Sequence, residues 1–101
     1  MHIQTYIFRL HADVPDHAFL PLVAELHDWL REQPGFASYA LYQGRGEWMD
    51  QIFWLSEAEA EAARQRFLFS DLGQRLLAMV DTDHHGFSGS SIDLSAWRDG
   101  F

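Results

Sequence analysis

Apolar positions change their spacing several times along the chain, and each change marks an element. Residues 3–10 are rich in β-branched and aromatic side chains and close at His11-Ala12-Asp13, which predicts a strand. Phe19, Leu22, Val23, Leu26, Trp29 and Leu30 then recur at steps of three and four, the single stripe of an amphipathic helix. Asp13 or Asp16 is placed to cap its start, with Pro15 tolerated in the first turn. Pro21 removes a backbone donor, so it either kinks the helix or marks where its regular part begins. Pro34-Gly35 ends the helix. Residues 36–43 and 47–55 are strand-like runs flanking Gly44-Arg45-Gly46, and together they predict a β-hairpin.

Ser56-Glu57-Ala58-Glu59 then matches a capping box, in which each side chain satisfies the other's free amide. In the alanine-rich helix that follows, Glu57, Glu59 and Glu61 precede Arg64 and Arg66, the charge order a helix dipole favours. Ser70-Asp71 opens a shorter helix with Leu72, Leu76, Leu77 and Val80 inward. Residues 86–94 form a serine-rich last strand, and residues 97–101 are a tail bearing Trp97 and Phe101. The order β-α-β-β-α-β is that of a ferredoxin-like α+β fold, a four-stranded antiparallel sheet with its helices on one face. One domain over residues 1–95, with 96–101 as C-terminal tail, accounts for the whole pattern. No internal repeat or linker interrupts it.

A sheet covered on one side alternates apolar and polar residues. The strand Trp48-Met49-Asp50-Gln51-Ile52-Phe53-Trp54-Leu55 does not, being apolar on both faces, and the first strand sets Ile3, Ile7 and Leu10 beside Tyr6 and Phe8. An uncovered apolar face of this extent marks an interface. A two-fold homodimer would cover it with the same patch of a second copy, unless the C-terminal tail folds back over it.

Composition narrows the partners. Of the 101 residues, 48% are hydrophobic and 15% aromatic, enough for a packed core. The formal charge is −8 and all 7 basic residues are arginine, which disfavours nucleic acid and anionic membrane surfaces as partners. The absence of cysteine removes thiolate nucleophiles and disulfides, and the absence of lysine removes Schiff-base chemistry. No apolar run approaches the roughly 20 residues needed to span a bilayer, and the first ten residues read as a strand, not a signal peptide. A cytoplasmic location is the expectation.

Several segments together resemble the dimeric α+β barrel superfamily, in particular the antibiotic-biosynthesis-monooxygenase-like proteins. They are Thr5-Tyr6-Ile7-Phe8-Arg9-Leu10, Phe19, Gln33-Pro34-Gly35-Phe36 and Gly46-Glu47-Trp48-Met49-Asp50. Trp54-Leu55-Ser56 and the stretch 76–81 complete the set. The resemblance covers roughly residues 1–95 and implies a ligand pocket between the sheet and the helices of each monomer. It implies a range of activities: cofactor-independent oxygenation, haem degradation, or chlorite and dye peroxidation. Haem degraders of this group use an Asn, Trp and His set, whereas this sequence has no asparagine and carries Leu76-Leu77 where the haem-ligating histidine would stand. No cofactor is therefore expected.

Asp50 is the chemically conspicuous residue, the one charged side chain inside an apolar strand. A buried carboxylate needs a partner or a raised pKa. With residues 44–46 as the turn, Ser38, Ala40 and Tyr42 would share its face with Trp48, Ile52 and Trp54, leaving an aromatic-walled cavity for a small planar ligand. Asp50 is then a candidate general base for an acidic phenol or enol, with Tyr6, Phe19, Tyr42, Trp48 and Trp54 as walls. The alternative is a structural carboxylate paired with an arginine such as Arg9 or with a tyrosine hydroxyl. Asp81-Thr82-Asp83-His84-His85 is the densest metal-like cluster, but adjacent strand residues such as His84 and His85 point to opposite faces, so no metal site is assigned. His2, His11, His17 and His27 read as surface or helix-face residues. Gly86-Phe87-Ser88-Gly89-Ser90 lacks the spacing of a nucleophile elbow, and Gly44-Arg45-Gly46 is a turn, not a dinucleotide motif. Two functions stay open: a cofactor-independent monooxygenase acting on an aromatic small molecule, or a non-catalytic carrier or sensor of a small hydrophobic ligand.

Overall fold

The computed structural model describes residues 1–81 and 84–95. The elements run β1 (His2–Phe8), α1 (Asp16–Arg31), β2 (Phe36–Gln43), β3 (Trp48–Trp54), α2 (Glu57–Leu68), α3 (Asp71–Met79) and β4 (His85–Ser90). The strands form one antiparallel sheet in the order β2-β3-β1-β4, the ferredoxin-like arrangement expected from the sequence. The tail from residue 96, with Trp97, lies outside the described residues, as do Thr82 and Asp83. Among the described residues no helix is long and apolar enough to cross a membrane.

Helix α1 starts on Pro15 rather than on an aspartate cap. The Pro15 carbonyl accepts the amides of Ala18 at 3.0 Å and Phe19 at 3.2 Å, with no side-chain hydrogen bond at the cap. The helix continues through Pro21. Pro21 and His17 are both exposed, so the carbonyl that the proline leaves without an amide lies on the wet side, where its loss costs least. In α2 the Ser56 hydroxyl accepts the Glu59 amide at 3.2 Å, the first half of the predicted capping box. The Glu59 carboxylate lies instead against Gly35, whose φ of +80° and missing Cβ leave room for it. Ser70 repeats the cap for α3, its hydroxyl accepting the Gly73 amide at 2.9 Å.

Three strands are shorter than the sequence predicts, β3 by one residue at each end. β1 closes at Phe8, and Leu10 pairs once more with Val80 as an isolated bridge. β4 ends at Ser90 rather than 94 because β1, its partner among the described strands, begins at His2, directly opposite Ser90.

The helices cover one face of the sheet. His2, Gln4 and Phe8 of β1 and Trp48, Asp50, Ile52 and Trp54 of β3 all point into that layer and are buried. Phe19 of α1 meets Phe8 and Trp48 edge to face, at centroid distances of 5.9 and 5.1 Å. Ala60 and Ala63 bring α2 close to the sheet, and both are essentially inaccessible. Gln4 ties the layers together: its Oε1 accepts the Trp54 indole N–H at 3.0 Å and its Nε2 donates to the Ala60 carbonyl at 3.4 Å. These bonds satisfy a buried amide that would otherwise cost a few kcal/mol.

The opposite face carries Ile3, Thr5 and Ile7 from β1 and Met49, Gln51 and Phe53 from β3, all half-buried. Phe87 of β4, opposite Thr5, extends this apolar face and is 66% exposed. None of α1, α2 and α3 covers it, and among the described residues no other element does.

Candidate functional site

The face that β2 turns toward Asp50 is decided by the length of the hairpin turn. Gly44 donates its amide to the Glu47 carbonyl at 2.8 Å, so the loop holds two residues, Arg45 and Gly46, not the three expected. Gly46 takes a φ of +75°, which a tight turn needs and glycine supplies without strain. In the resulting register Leu41 stands opposite Asp50 and Tyr39 opposite Ile52, while Tyr42 pairs with Met49 and Ala40 with Gln51. A one-residue slip exchanges the two faces of a strand. The expectation that Ser38, Ala40 and Tyr42 flank Asp50 is thereby corrected. They lie on the open face, where Tyr42 is 51% exposed, and Tyr39 takes the place beside the carboxylate.

Asp50 is buried, at 8% exposure. Its Oδ2 accepts the Tyr39 hydroxyl at 3.2 Å, and its Oδ1 has no hydrogen-bond partner among the described residues. Of the two structural partners considered for this carboxylate, an arginine or a tyrosine hydroxyl, the tyrosine is present. Burial pushes the Asp50 carboxyl up to about 6, and the Tyr39 hydrogen bond holds it from rising further. Burial and the neighbouring Asp50 charge together raise the Tyr39 phenol well above its ordinary value. Tyr6, across β1, is raised by burial and by Asp50 and drawn back down by Arg64.

Asp50 forms part of the wall of a cavity of about 250 Å³ between the sheet and the three helices. Tyr6, Phe8, Tyr39 and Trp54 line its floor, and Phe19, Trp29 and Phe67 its helical side. Leu76, Leu77 and Val80 close it from α3 and the segment beyond. The lining is overwhelmingly apolar. Among the described lining residues Asp50 is the one carboxylate and Arg64 the one arginine, and His84 stands at the rim. A concave apolar pocket with few convergent polar groups is the form small-molecule sites take.

Of the residues singled out from the sequence, Asp50, Tyr6, Phe19 and Trp54 meet at this cavity. Trp48 shares their face but stands behind Phe19 and does not line the space. His84 reaches the rim with its Nδ1 3.3 Å from the Asp81 carbonyl oxygen, and His85 begins β4 on the other face of the sheet, opposite Ile7. Among the described residues no group of three or more His, Cys, Asp or Glu side chains converges as a metal site. His2 is corrected from a surface residue to a buried one, 4% exposed. Its ring nitrogens bond the Ser90 and Ser88 hydroxyls at 2.9 and 2.7 Å, which gives the serines of β4 a structural purpose. Sequence reasoning missed Tyr39, Gln4 and Arg64. Tyr39 was findable only from a two-residue turn. Gln4, a polar residue on the apolar side of β1, carried its own signal as a buried partner-seeker.

No protein-family model and no curated protein matches the sequence. Solved structures do match its fold. SnoaB, a cofactor-independent oxygenase from Streptomyces nogalater, superposes with a TM-score of 0.74 at 18% identity, over 90% of this chain and 94% of that one. At3g17210 from Arabidopsis thaliana gives a TM-score of 0.79 at 5% identity, over 92% and 97% of the two chains. An antibiotic biosynthesis monooxygenase gives 0.70 at 18% identity, over 92% of this chain and all of that one. The chain therefore has the fold of the antibiotic-biosynthesis-monooxygenase-like proteins, as the sequence resemblance implied. At these identities the likeness is one of fold.

Proposed function

We propose that this chain is a cofactor-independent monooxygenase for a compact aromatic phenol or enol, working as a homodimer. One observation carries the reading: a buried carboxylate, Asp50, raised to about 6 and holding a single side-chain donor, sits in the wall of an aromatic cavity. A base with a pKa near the working pH is ionised yet still basic enough to take a proton. Asp50 takes a proton from an acidic CH2 or O–H of the substrate. The resulting carbanion or phenolate passes one electron to O2, and the radical pair combines into a C–O bond. The peroxide anion recovers the proton and loses water, so one CH2 and one O2 become one C=O and one H2O. SnoaB, of the same fold, is a cofactor-independent oxygenase, which supports the reaction class.

The dimer is supported by the open face, where Ile3, Ile7, Met49, Phe53 and Phe87 have no covering element among the described residues. A second copy offering the same patch would remove that surface from water.

Oxygen uptake with a panel of hydroxyanthrones and quinols tests the chemistry. Protein-dependent uptake that falls about 100-fold or more in D50N is expected, the usual scale for loss of a general base. A flat trace with aromatic binding retained would replace the enzyme by a carrier or sensor of the same ligand class.

A further inference from the structure

Arg64 has no part in the proton chemistry above, yet it lines the same cavity. It lies on α2 one residue after Ala63, whose small side chain holds the helix against the sheet. Its guanidinium is fixed rather than free: Nε donates to one Glu61 carboxylate oxygen at 3.0 Å and Nη2 to the other at 2.8 Å. This fork uses one edge of the group and leaves Nη1 with no partner among the described residues. The Arg64 side chain is 40% exposed, whereas Asp50 is buried, so the cavity has a cationic outer end and an acidic inner one. The Tyr6 phenol registers both, drawn down by Arg64 and pushed up by Asp50.

We propose that Arg64 is the specificity residue of this cavity, binding a carboxylate or similar anionic substituent of the aromatic substrate at the solvent-facing end. The assignment rests on the aromatic-ligand reading of the cavity and narrows it to aromatic acids. Its physical basis is local contrast. The chain carries a formal charge of −8, so an anion gains nothing from the overall field, and only a positioned cation can hold it there. Arginine presents its donors in a rigid fork that matches a carboxylate, and Glu61 pre-orients that fork before the ligand arrives. An anion held at this end directs the ring inward, toward Tyr6, Tyr39 and Asp50.

Calorimetric titration of the wild-type protein and R64Q with 2-naphthoate and its neutral isostere 2-naphthamide tests the assignment. In the wild type naphthoate binds more tightly than naphthamide, and its affinity falls as salt rises. In R64Q naphthoate weakens about 10- to 100-fold, the scale of a lost charge-assisted pair, while naphthamide is unchanged and so reports an intact fold. Equal loss of both probes, or no loss of either, overturns the role of Arg64 alone. Failure of both probes to bind the wild type overturns the aromatic-cavity reading and this assignment with it.

Discussion

The Tyr39 hydroxyl donates to Oδ2 of Asp50 at 3.2 Å, and the two residues come from neighbouring strands rather than from facing positions. Leu41, not Tyr39, is the cross-strand partner of Asp50. The tyrosine reaches along the sheet by two residues, a diagonal that long side chains can span. One carboxylate oxygen is thereby held by a group whose own ionisation is suppressed, and the other has no hydrogen-bond partner among the described residues. The pair is asymmetric.

The pH dependence of turnover follows from that asymmetry. With Asp50 raised to about 6, a base-catalysed rate should climb through that pH and level off above pH 7. A rate profile flat between pH 5 and 8 would remove Asp50 as the base.

Stability should move the opposite way. The folded state holds the Asp50 proton more tightly than the unfolded chain, because its carboxyl rises from 3.8 to about 6. The associated stabilisation is fully present below pH 3.8 and is lost as pH rises through about 6. At about 1.4 kcal/mol for each tenfold change, the loss amounts to about 3 kcal/mol by pH 7. D50N carries no such loss. It should therefore be more stable than the wild type at pH 7, with the advantage shrinking toward pH 4 in urea melts at the two pH values.

Y39F removes the hydroxyl that donates to the carboxylate. Asp50 should then titrate at a higher pH, carrying the midpoint of the rate profile upward with it. A buried charge that loses a hydrogen bond costs about 1–3 kcal/mol, which a denaturation midpoint at pH 8 would register.

Phe53 lies half-buried on the face that none of α1, α2 and α3 covers. F53E should convert a species of twice the 11.7 kDa chain mass into a monomer, read by sedimentation velocity. An unchanged mass would mean that the open sheet face is not the contact.

Some of this architecture is legible in residue spacing and some is not. The stripe of Phe19, Val23, Leu26 and Leu30 marks α1 because helical period and burial coincide, and Ser56 and Ser70 announce α2 and α3 by cap chemistry that acts within four residues. Asp50 stands out because an acid in an apolar strand demands an explanation wherever the strand lies. Tyr39 and Tyr42 cannot be told apart this way. Both are aromatic, both sit in β2, and which one meets the acid depends on a turn whose two possible lengths use the same three residues. Arg64 is hidden for a different reason: its spacing from Glu61 is already explained by an ordinary pair on a helix surface, so nothing in the sequence directs attention to the cavity beside it. His2 deceives through position, since a residue next to the N-terminus looks peripheral until β4 closes over it.

The two-residue link between β2 and β3 has a consequence for how this protein can vary. Surface loops are ordinarily where chains accept extra residues at little cost. Here a single added residue after Arg45 would rotate every side chain of β2 through the sheet. Tyr39 would leave the acid, and Ala40 and Tyr42 would turn inward. Length at that corner is therefore under tighter constraint than the identity of most core side chains, and only insertions that preserve parity would leave the pocket intact.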